Sequence, residues 1–296
     1  MPVPTRPLAA ALCAAALVLA APGAAPAQTT APEPRPDAPV TAEARAEVGP
    51  LLDALGVGEL LPVMRQEGLA SARDLASDMF PGRGGPRWED LVDRIYRVER
   101  MRSIMTDEMA ARLEPAEIDV LLQFFGSELG RRIVRLEVTA REALLDASVE
   151  EASEAALAEM RRADDPRLEV LRGFVEANEL VEMNVVGALN SNWAFYQGLE
   201  AGGAFGDALS EQQMLADVWG QEDEIRAETE EWVYSYLAMA YRPLSDDEIA
   251  AYTALSETPE GQALNTALFA TYDAMFVTIS RDLGLAAAQF MAGEDI

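Results

Sequence analysis

Few side chains in this sequence of 296 residues could carry out chemistry. It has no histidine and no lysine, and its one cysteine, Cys13, lies in an N-terminal apolar run. These absences exclude Ser-His and Cys-His catalysis, a conventional zinc site and a Schiff base on lysine. Carboxylates remain, but no catalytic pair can be selected by spacing among 51 acidic residues. We predict a protein that is not an enzyme and has no cofactor, with a carboxylate-based enzyme as the less favoured alternative.

Two patterns could bind cations. Met101, Met105 and Met109 recur every four residues, and thioethers on one helix face suit Cu(I). Methionine also fills irregular cores, which is the interpretation that we favour. The acidic run at 222–231 could collect hard cations, but it looks helical and lacks the turn from which calcium ligands converge. A solvated helix face is the favoured interpretation of this run, and we predict no metal site while keeping cation binding as the alternative function.

Amides and aromatic rings alternate in a third stretch, which could bind a small ligand. Asn190, Asn192, Trp193 and Tyr196 fall within seven residues of one predicted helix. Such side chains could line a groove between helices. They are also typical of core positions whose polar tips are hydrogen-bonded. The sequence gives no better candidate for a ligand site.

The N-terminus predicts export. Arg6 precedes an apolar run at 8–21, and Ala25-Pro26-Ala27 offers a small-x-small cleavage site. The run is too short to span a bilayer as a helix. We therefore predict a signal peptide at 1–27 with cleavage near Ala27, a periplasmic protein without disulfides, and no stable membrane insertion after cleavage. A disordered, proline- and alanine-rich leader is predicted at 28–48.

The charge balance restricts the partners. Removal of residues 1–27 takes away Arg6 and no acid, leaving a net charge of −29. Such a surface repels phosphate backbones and anionic lipids, so we predict no nucleic-acid partner and no attraction to membrane surfaces. The acidity is interpreted as a surface kept soluble in a salty medium, with a cation or a basic partner as the alternative.

The helices that would position these residues are organised around a segment that occurs twice. Residues 113–130 and 244–261 align without a gap at an offset of 131 positions. Three equivalent pairs carry the register, namely Glu117 with Glu248, Ile118 with Ile249 and Gly130 with Gly261. The shared register predicts a duplicated helical unit.

Each copy shows start signals for two helices. Ser245 and Glu248 form a capping box, and Pro115 and Pro259 suit first helical positions. Ser127 and Thr258 are predicted to cap the second helix of each pair. Gly130 and Gly261 fall in its first turn, where a glycine costs about 1 kcal/mol against alanine. A close approach of helices is the expected compensation.

This pattern resembles a bacterial family called domain of unknown function 2059. The resemblance is carried by L-x-x-x-E-I, an apolar face, and S/T-x-x-G before a long helix. Residues 244–283 match more closely than the copy from Leu113, which departs at Phe125-Gly126 and Glu128-Leu129. The resemblance implies an exported helical protein, and it implies no particular activity.

No stretch alternates with period two for long enough to be a strand, so we predict an all-α fold without a sheet. The predicted domains are a first helical unit at 49–165 and a second at 166–296, divided at Asp164-Asp165-Pro166. Long helices are expected at 88–112 and at 127–162. Whether the two units share one core stays open. The predicted function is non-catalytic interaction or binding in the envelope, with an unknown envelope protein or a small ligand as the partner.

Overall fold

A computed structural model describes residues 40–206 and 209–293 of the chain. These residues form helices joined by turns and contain no strand, so the all-α prediction is confirmed. In chain order the helices are α1 (Ala42–Ala54), α2 (Val57–Met79), α3 (Pro86–Ile95), α4 (Val98–Arg112), α5 (Pro115–Phe125), α6 (Glu128–Ala143), α7 (Ala147–Arg162), α8 (Arg167–Ala177), α9 (Leu180–Ala201), α10 (Glu211–Trp219), α11 (Glu222–Ala240), α12 (Asp246–Ser256) and α13 (Pro259–Ala292).

The N-terminal boundary needs a correction. The predicted signal peptide at 1–27 and residues 28–39 of the predicted leader lie outside the described residues. Residues 42–48, which we assigned to a disordered leader, form the start of α1. The Thr41 hydroxyl caps this helix by accepting from the Ala44 N–H at 3.1 Å, and Val48 is fully buried. A capped start and a buried apolar face explain why these residues are ordered.

The predicted helix starts are confirmed in both of the aligned segments, 113–130 and 244–261. Ser127 and Thr258 each cap the helix that follows, accepting from Gly130 and Gly261 N–H groups at 3.0 Å. Ser245 and Glu248 form the predicted capping box. Glu114 and Glu117 form the equivalent box at the start of the segment 113–130. Equivalent side chains therefore make equivalent local bonds.

Gly130 and Gly261 are required by close approaches, as predicted. A Cβ on Gly130 would lie 2.2 Å from the Phe124 carbonyl oxygen, and one on Gly261 would lie 2.1 Å from the Leu255 carbonyl oxygen. The approach is to the last turn of the preceding helix in each case. The tight corner therefore accounts for a glycine that helix propensity alone disfavours.

Two predicted long helices are each broken in the structure. The segment 88–112 divides at Tyr96-Arg97, where the buried Tyr96 ring lies against Gly68 and leaves no room for a Cβ there. The segment 127–162 divides at residues 144–146, and the Asp146 carboxylate caps α7 by accepting from the Ser148 N–H at 2.9 Å. A tertiary contact ends one helix and a local cap restarts the other.

One hydrophobic core joins the two predicted units. The 34-residue helix α13 contacts α3, α4, α5, α9 and α12. Leu52 and Met105 from the first half belong to the same buried cluster as Leu264 and Ile279 from the second. The aligned segments 113–130 and 244–261 also meet directly, because the rings of Phe124 and Tyr252 stack with centroids 5.5 Å apart. Helices of both halves therefore pack around a shared interior, and a smaller buried cluster lies between α9, α10 and the start of α11.

Helix α13 packs most extensively against α9, and glycines allow the contact. A Cβ on Gly284 would lie 2.1 Å from the Phe195 carbonyl oxygen, and one on Gly198 would lie 2.1 Å from the Arg281 carbonyl oxygen. The two backbones touch at this crossing. A groove lies between residues 183–191 of α9 and residues 266–276 of α13.

Candidate functional site

The groove between α9 and α13, called here the α9–α13 groove, has a volume of about 200 Å³. Its apolar lining comes from both helices, with Met183, Val186 and Ala188 on α9 and Phe269, Ala270 and Phe276 on α13. Gly187 also lines it, and a Cβ at that position would meet nothing within 4 Å. The absence of a side chain at Gly187 keeps the groove open.

A small set of polar atoms lies among these apolar walls. Ser191 lines the groove, and its buried hydroxyl has no hydrogen-bond partner in the described part of the chain. The Asn190 amide donates to the Asp273 carboxylate at 2.8 Å. Burial raises the pKa of Asp273, and the bond from Asn190 partly opposes this shift. An apolar groove with a few convergent polar groups is the usual form of a small-molecule site.

The four residues predicted to line a ligand groove are not brought together. Asn190 lies in the α9–α13 groove, whereas Asn192, Trp193 and Tyr196 face α10 and the start of α11. The Asn192 amide donates to Gln221 at 3.4 Å, and the Tyr196 hydroxyl donates to Asp217 at 3.3 Å. The predicted constellation is therefore corrected. Asn192 and Tyr196 match the alternative interpretation of core residues with hydrogen-bonded tips, and the partly buried Trp193 packs against the cluster that contains Tyr196.

A second polar cluster, called here the Glu137 cluster, lies inside the core between α6 and α11. The Tyr241 hydroxyl donates to the Glu137 carboxyl at 2.6 Å, and the Tyr236 hydroxyl donates to the Glu137 main-chain carbonyl at 3.0 Å. Burial raises the pKa of Glu137 to about 8, although the hydrogen bond from Tyr241 acts in the opposite direction. Glu137 therefore carries a proton at neutral pH, as an uncharged buried acid should.

The same cluster continues one turn along α6 with a buried cation. Arg141 makes a two-pronged ion pair with Glu67 of α2, through bonds of 2.9 and 2.5 Å. Its guanidinium also lies 5.9 Å from the centre of the Trp232 ring. The void beside Glu137 measures about 10 Å³, no more than one water molecule needs. A substrate cannot reach the Glu137 carboxyl through a void of this size. The role of the cluster is to connect α6 with α2 and α11.

Sequence reasoning missed Glu137, Ser191 and Asp273. A signal for Glu137 did exist, because Ile133, Glu137 and Ala140 fall on one face of α6 at helical spacing. An acid on an apolar stripe predicts a buried carboxyl. No comparable signal marks Asp273, whose partner Asn190 is 83 residues away in sequence.

The two candidate cation patterns lie in different surroundings. Met101, Met105 and Met109 are buried in the main core, as the favoured interpretation predicts. In the acidic run, Arg226 pairs with Glu222 and with Glu182 of α9. Among residues 40–206 and 209–293, no three acidic side chains are grouped in a way that could hold a metal ion.

The matching family model is described as "Uncharacterized protein conserved in bacteria (DUF2059)" and covers residues 99–159. The predicted resemblance to domain of unknown function 2059 is thereby confirmed for a range that runs from α4 into α7. Residues 244–283 lie outside it, so the presence of two copies stays a prediction. No curated protein and no solved structure matches the chain. In the described part of the chain, no helix combines the length and the apolar character needed to cross a membrane.

Proposed function

We propose that this protein is a non-catalytic binding module of the bacterial cell envelope, and that it takes a small, largely apolar molecule in the α9–α13 groove. The observation that carries the proposal is Ser191, which lines an apolar groove and whose buried hydroxyl has no partner within the described residues. Leaving such a group unpaired costs about 1–3 kcal/mol. A ligand that bonds to it recovers that cost.

The groove favours a compact ligand with one hydrogen-bonding group. Its volume of about 200 Å³ is below the range typical of drug-sized ligands, roughly 300–1,000 Å³. Ser191 can donate or accept, and the Asp273 carboxylate accepts while ionised. An anionic ligand would meet Asp273 and a strongly acidic surface. A neutral alcohol or amide with an apolar body satisfies all of these conditions.

The distribution of carboxyls supports a role without catalysis. Four carboxyls in the described chain have a raised pKa, namely Glu137, Glu150, Glu228 and Asp273. None of them is shifted by another of the four. A catalytic carboxylate pair would show two such groups facing each other in a cleft.

The groove is tested with benzyl alcohol and toluene, which share an aromatic body and differ in the hydroxyl. We expect benzyl alcohol to bind more tightly in titrations followed by nuclear magnetic resonance, because its hydroxyl can pair with Ser191. Ser191→Ala should abolish the preference. Gly187→Leu should weaken the binding of both probes at least tenfold by filling the groove.

Gly173→Leu is the matched control for this experiment. Gly173 is exposed on α8, and a Cβ there also meets nothing within 4 Å. This substitution should leave the affinities of both probes unchanged. Equal affinities in Gly187→Leu and the wild type would show that the groove is not the site.

Export is tested separately by the mass of the protein recovered from the periplasmic fraction of the native host. We expect a chain that begins near Gln28, because the small-x-small site ends at Ala27. Deletion of residues 8–21 should retain the chain in the cytoplasm by removing the apolar run. Recovery of the unprocessed wild-type chain from the cytoplasm alone would contradict the envelope location.

A further inference from the structure

A second groove lies on the other side of α13 and has the opposite charge character to the rest of the molecule. It has a volume of about 460 Å³ and lies between α3, the α3–α4 turn and α13. We call it the arginine groove, because Arg94, Arg97 and Arg100 line it against a single acid, Asp282. The local balance is therefore +2 in a chain whose formal net charge is −28.

Arg100 is held in place by two contacts within the protein. Its Nη2 atom lies 2.5 Å from the Asp282 carboxylate, and Nη1 donates to the Ile95 carbonyl at 3.3 Å. Arg94 and Arg97 are exposed and form no ion pair with any residue in the described ranges. The charges of Arg94 and Arg97 are therefore not neutralised by an ion pair, whereas Asp282 neutralises Arg100.

Three acids lie beside the groove, but none of them forms an ion pair with Arg94 or Arg97, so the balance of +2 describes the lining of the groove alone. A neighbouring depression, which shares Arg94 and Arg97, contains Asp90, Asp93 and Glu99. Asp93 forms an ion pair with Arg65, whose Nη2 atom lies 3.0 Å from Oδ1 of Asp93.

The remaining lining of the arginine groove is largely apolar. Leu91, Ile95 and Ala286 contribute to it, together with Leu285, whose side chain is 38 % exposed. Leu285 is one of few large apolar residues exposed in the described chain. An apolar patch beside free guanidiniums is complementary to a molecule with an anionic head and a hydrocarbon tail.

We propose that the arginine groove binds a small carboxylate amphiphile, with the carboxylate on Arg94 and Arg97 and the tail on Leu91 and Leu285. Guanidinium groups suit this head, because their planar donors match both carboxylate oxygens. The volume of about 460 Å³ accommodates a medium-length chain. This site is independent of the α9–α13 groove, which presents Asp273 and disfavours anions.

Octanoate is the probe, and isothermal titration calorimetry of the purified protein is the measurement. We expect octanoate to bind, acetate to bind at least tenfold more weakly for want of a tail, and octyltrimethylammonium not to bind. Arg94→Gln with Arg97→Gln should weaken octanoate binding at least tenfold. Leu285→Ser should reduce the advantage of octanoate over acetate.

The matched control carries the same change of charge elsewhere. Arg73 and Arg242 are also exposed arginines without an ion pair in the described chain, and neither lines the groove. Arg73→Gln with Arg242→Gln should leave octanoate affinity unchanged, as should Gly187→Leu. Equal losses in both double variants would overturn the site, because they would reflect overall charge. Equal binding of octanoate and octyltrimethylammonium would overturn the role of the carboxylate. Binding of an oligoglutamate peptide without binding of octanoate would overturn the amphiphile and assign the groove to a protein partner.

Discussion

Gly284→Ala is expected to lower the midpoint temperature of thermal unfolding by about 4–8 °C. The added Cβ would lie 2.1 Å from the Phe195 carbonyl oxygen and 3.0 Å from the Leu199 main-chain nitrogen. Both atoms belong to the α9 backbone, which cannot rotate away as a side chain can. The helices must therefore separate, at an overpacking cost of about 3 kcal/mol. Alanine returns about 1 kcal/mol of helix propensity, so the clash dominates.

Gly173→Ala separates the two effects, because it has the same chemistry without the clash. A Cβ on Gly173 meets nothing within 4 Å, so this variant should be more stable than the wild type by up to about 1 kcal/mol. Differential scanning calorimetry of both variants is the measurement. Equal midpoints for Gly284→Ala and the wild type would mean that α9 and α13 do not touch at this crossing.

A double variant distinguishes a shared displacement from two local strains. Gly198 makes the reciprocal contact, with a Cβ position 2.1 Å from the Arg281 carbonyl oxygen. One separation of the helices relieves both clashes, so Gly198→Ala with Gly284→Ala should cost less than the sum of the single substitutions. Additive costs would point to independent distortions.

The parts of the fold that could be predicted from the sequence are those whose partners are close along the chain. Ser127 and Thr258 bond to N–H groups three residues away, and Ser245 pairs with Glu248 over the same interval. A capping signal is complete within one helical turn. The division at Tyr96 could not be predicted in this way, since it depends on contact with Gly68 of another helix.

Helix geometry explains why the prediction of a groove lined by Asn190, Asn192, Trp193 and Tyr196 was wrong. At about 100° per residue, the directions of Asn190 and Asn192 differ by about 160° around α9. Composition grouped Asn190 with Asn192 and Tyr196, which helical spacing places on a different face of α9. The residues that do meet Asn190 come from α13, and nothing near it in the sequence indicates which of the many helical segments will pack there.

Glu137→Gln is expected to make the protein more stable at alkaline pH and to flatten its dependence on pH. Burial raises the pKa of Glu137 to about 8, whereas an unfolded glutamate titrates near 4.5. Between these values the folded chain holds a proton that the unfolded chain has lost. The stability of the wild type is therefore highest below about pH 4.5 with respect to this group. It falls with a limiting slope of about 1.4 kcal/mol per pH unit as the pH rises toward 8.

Glutamine reproduces the neutral acid in shape, and its oxygen can still accept from the Tyr241 hydroxyl. The variant should therefore resemble the wild type at pH 5 and exceed it by a few kcal/mol at pH 9. Urea denaturation at unit intervals between those values is the measurement. Taking the difference between variant and wild type at each pH cancels the contributions of the other carboxyls.

Glu142→Gln supplies the control, because it removes an acid from the exposed face of the same helix. The difference between this variant and the wild type should not grow with pH. Parallel profiles for Glu137→Gln and the wild type would show that Glu137 does not gain a proton on folding. A widening gap confined to Glu137→Gln would show that the contact between α6 and α11, which connects the two halves of the chain, requires an uncharged acid.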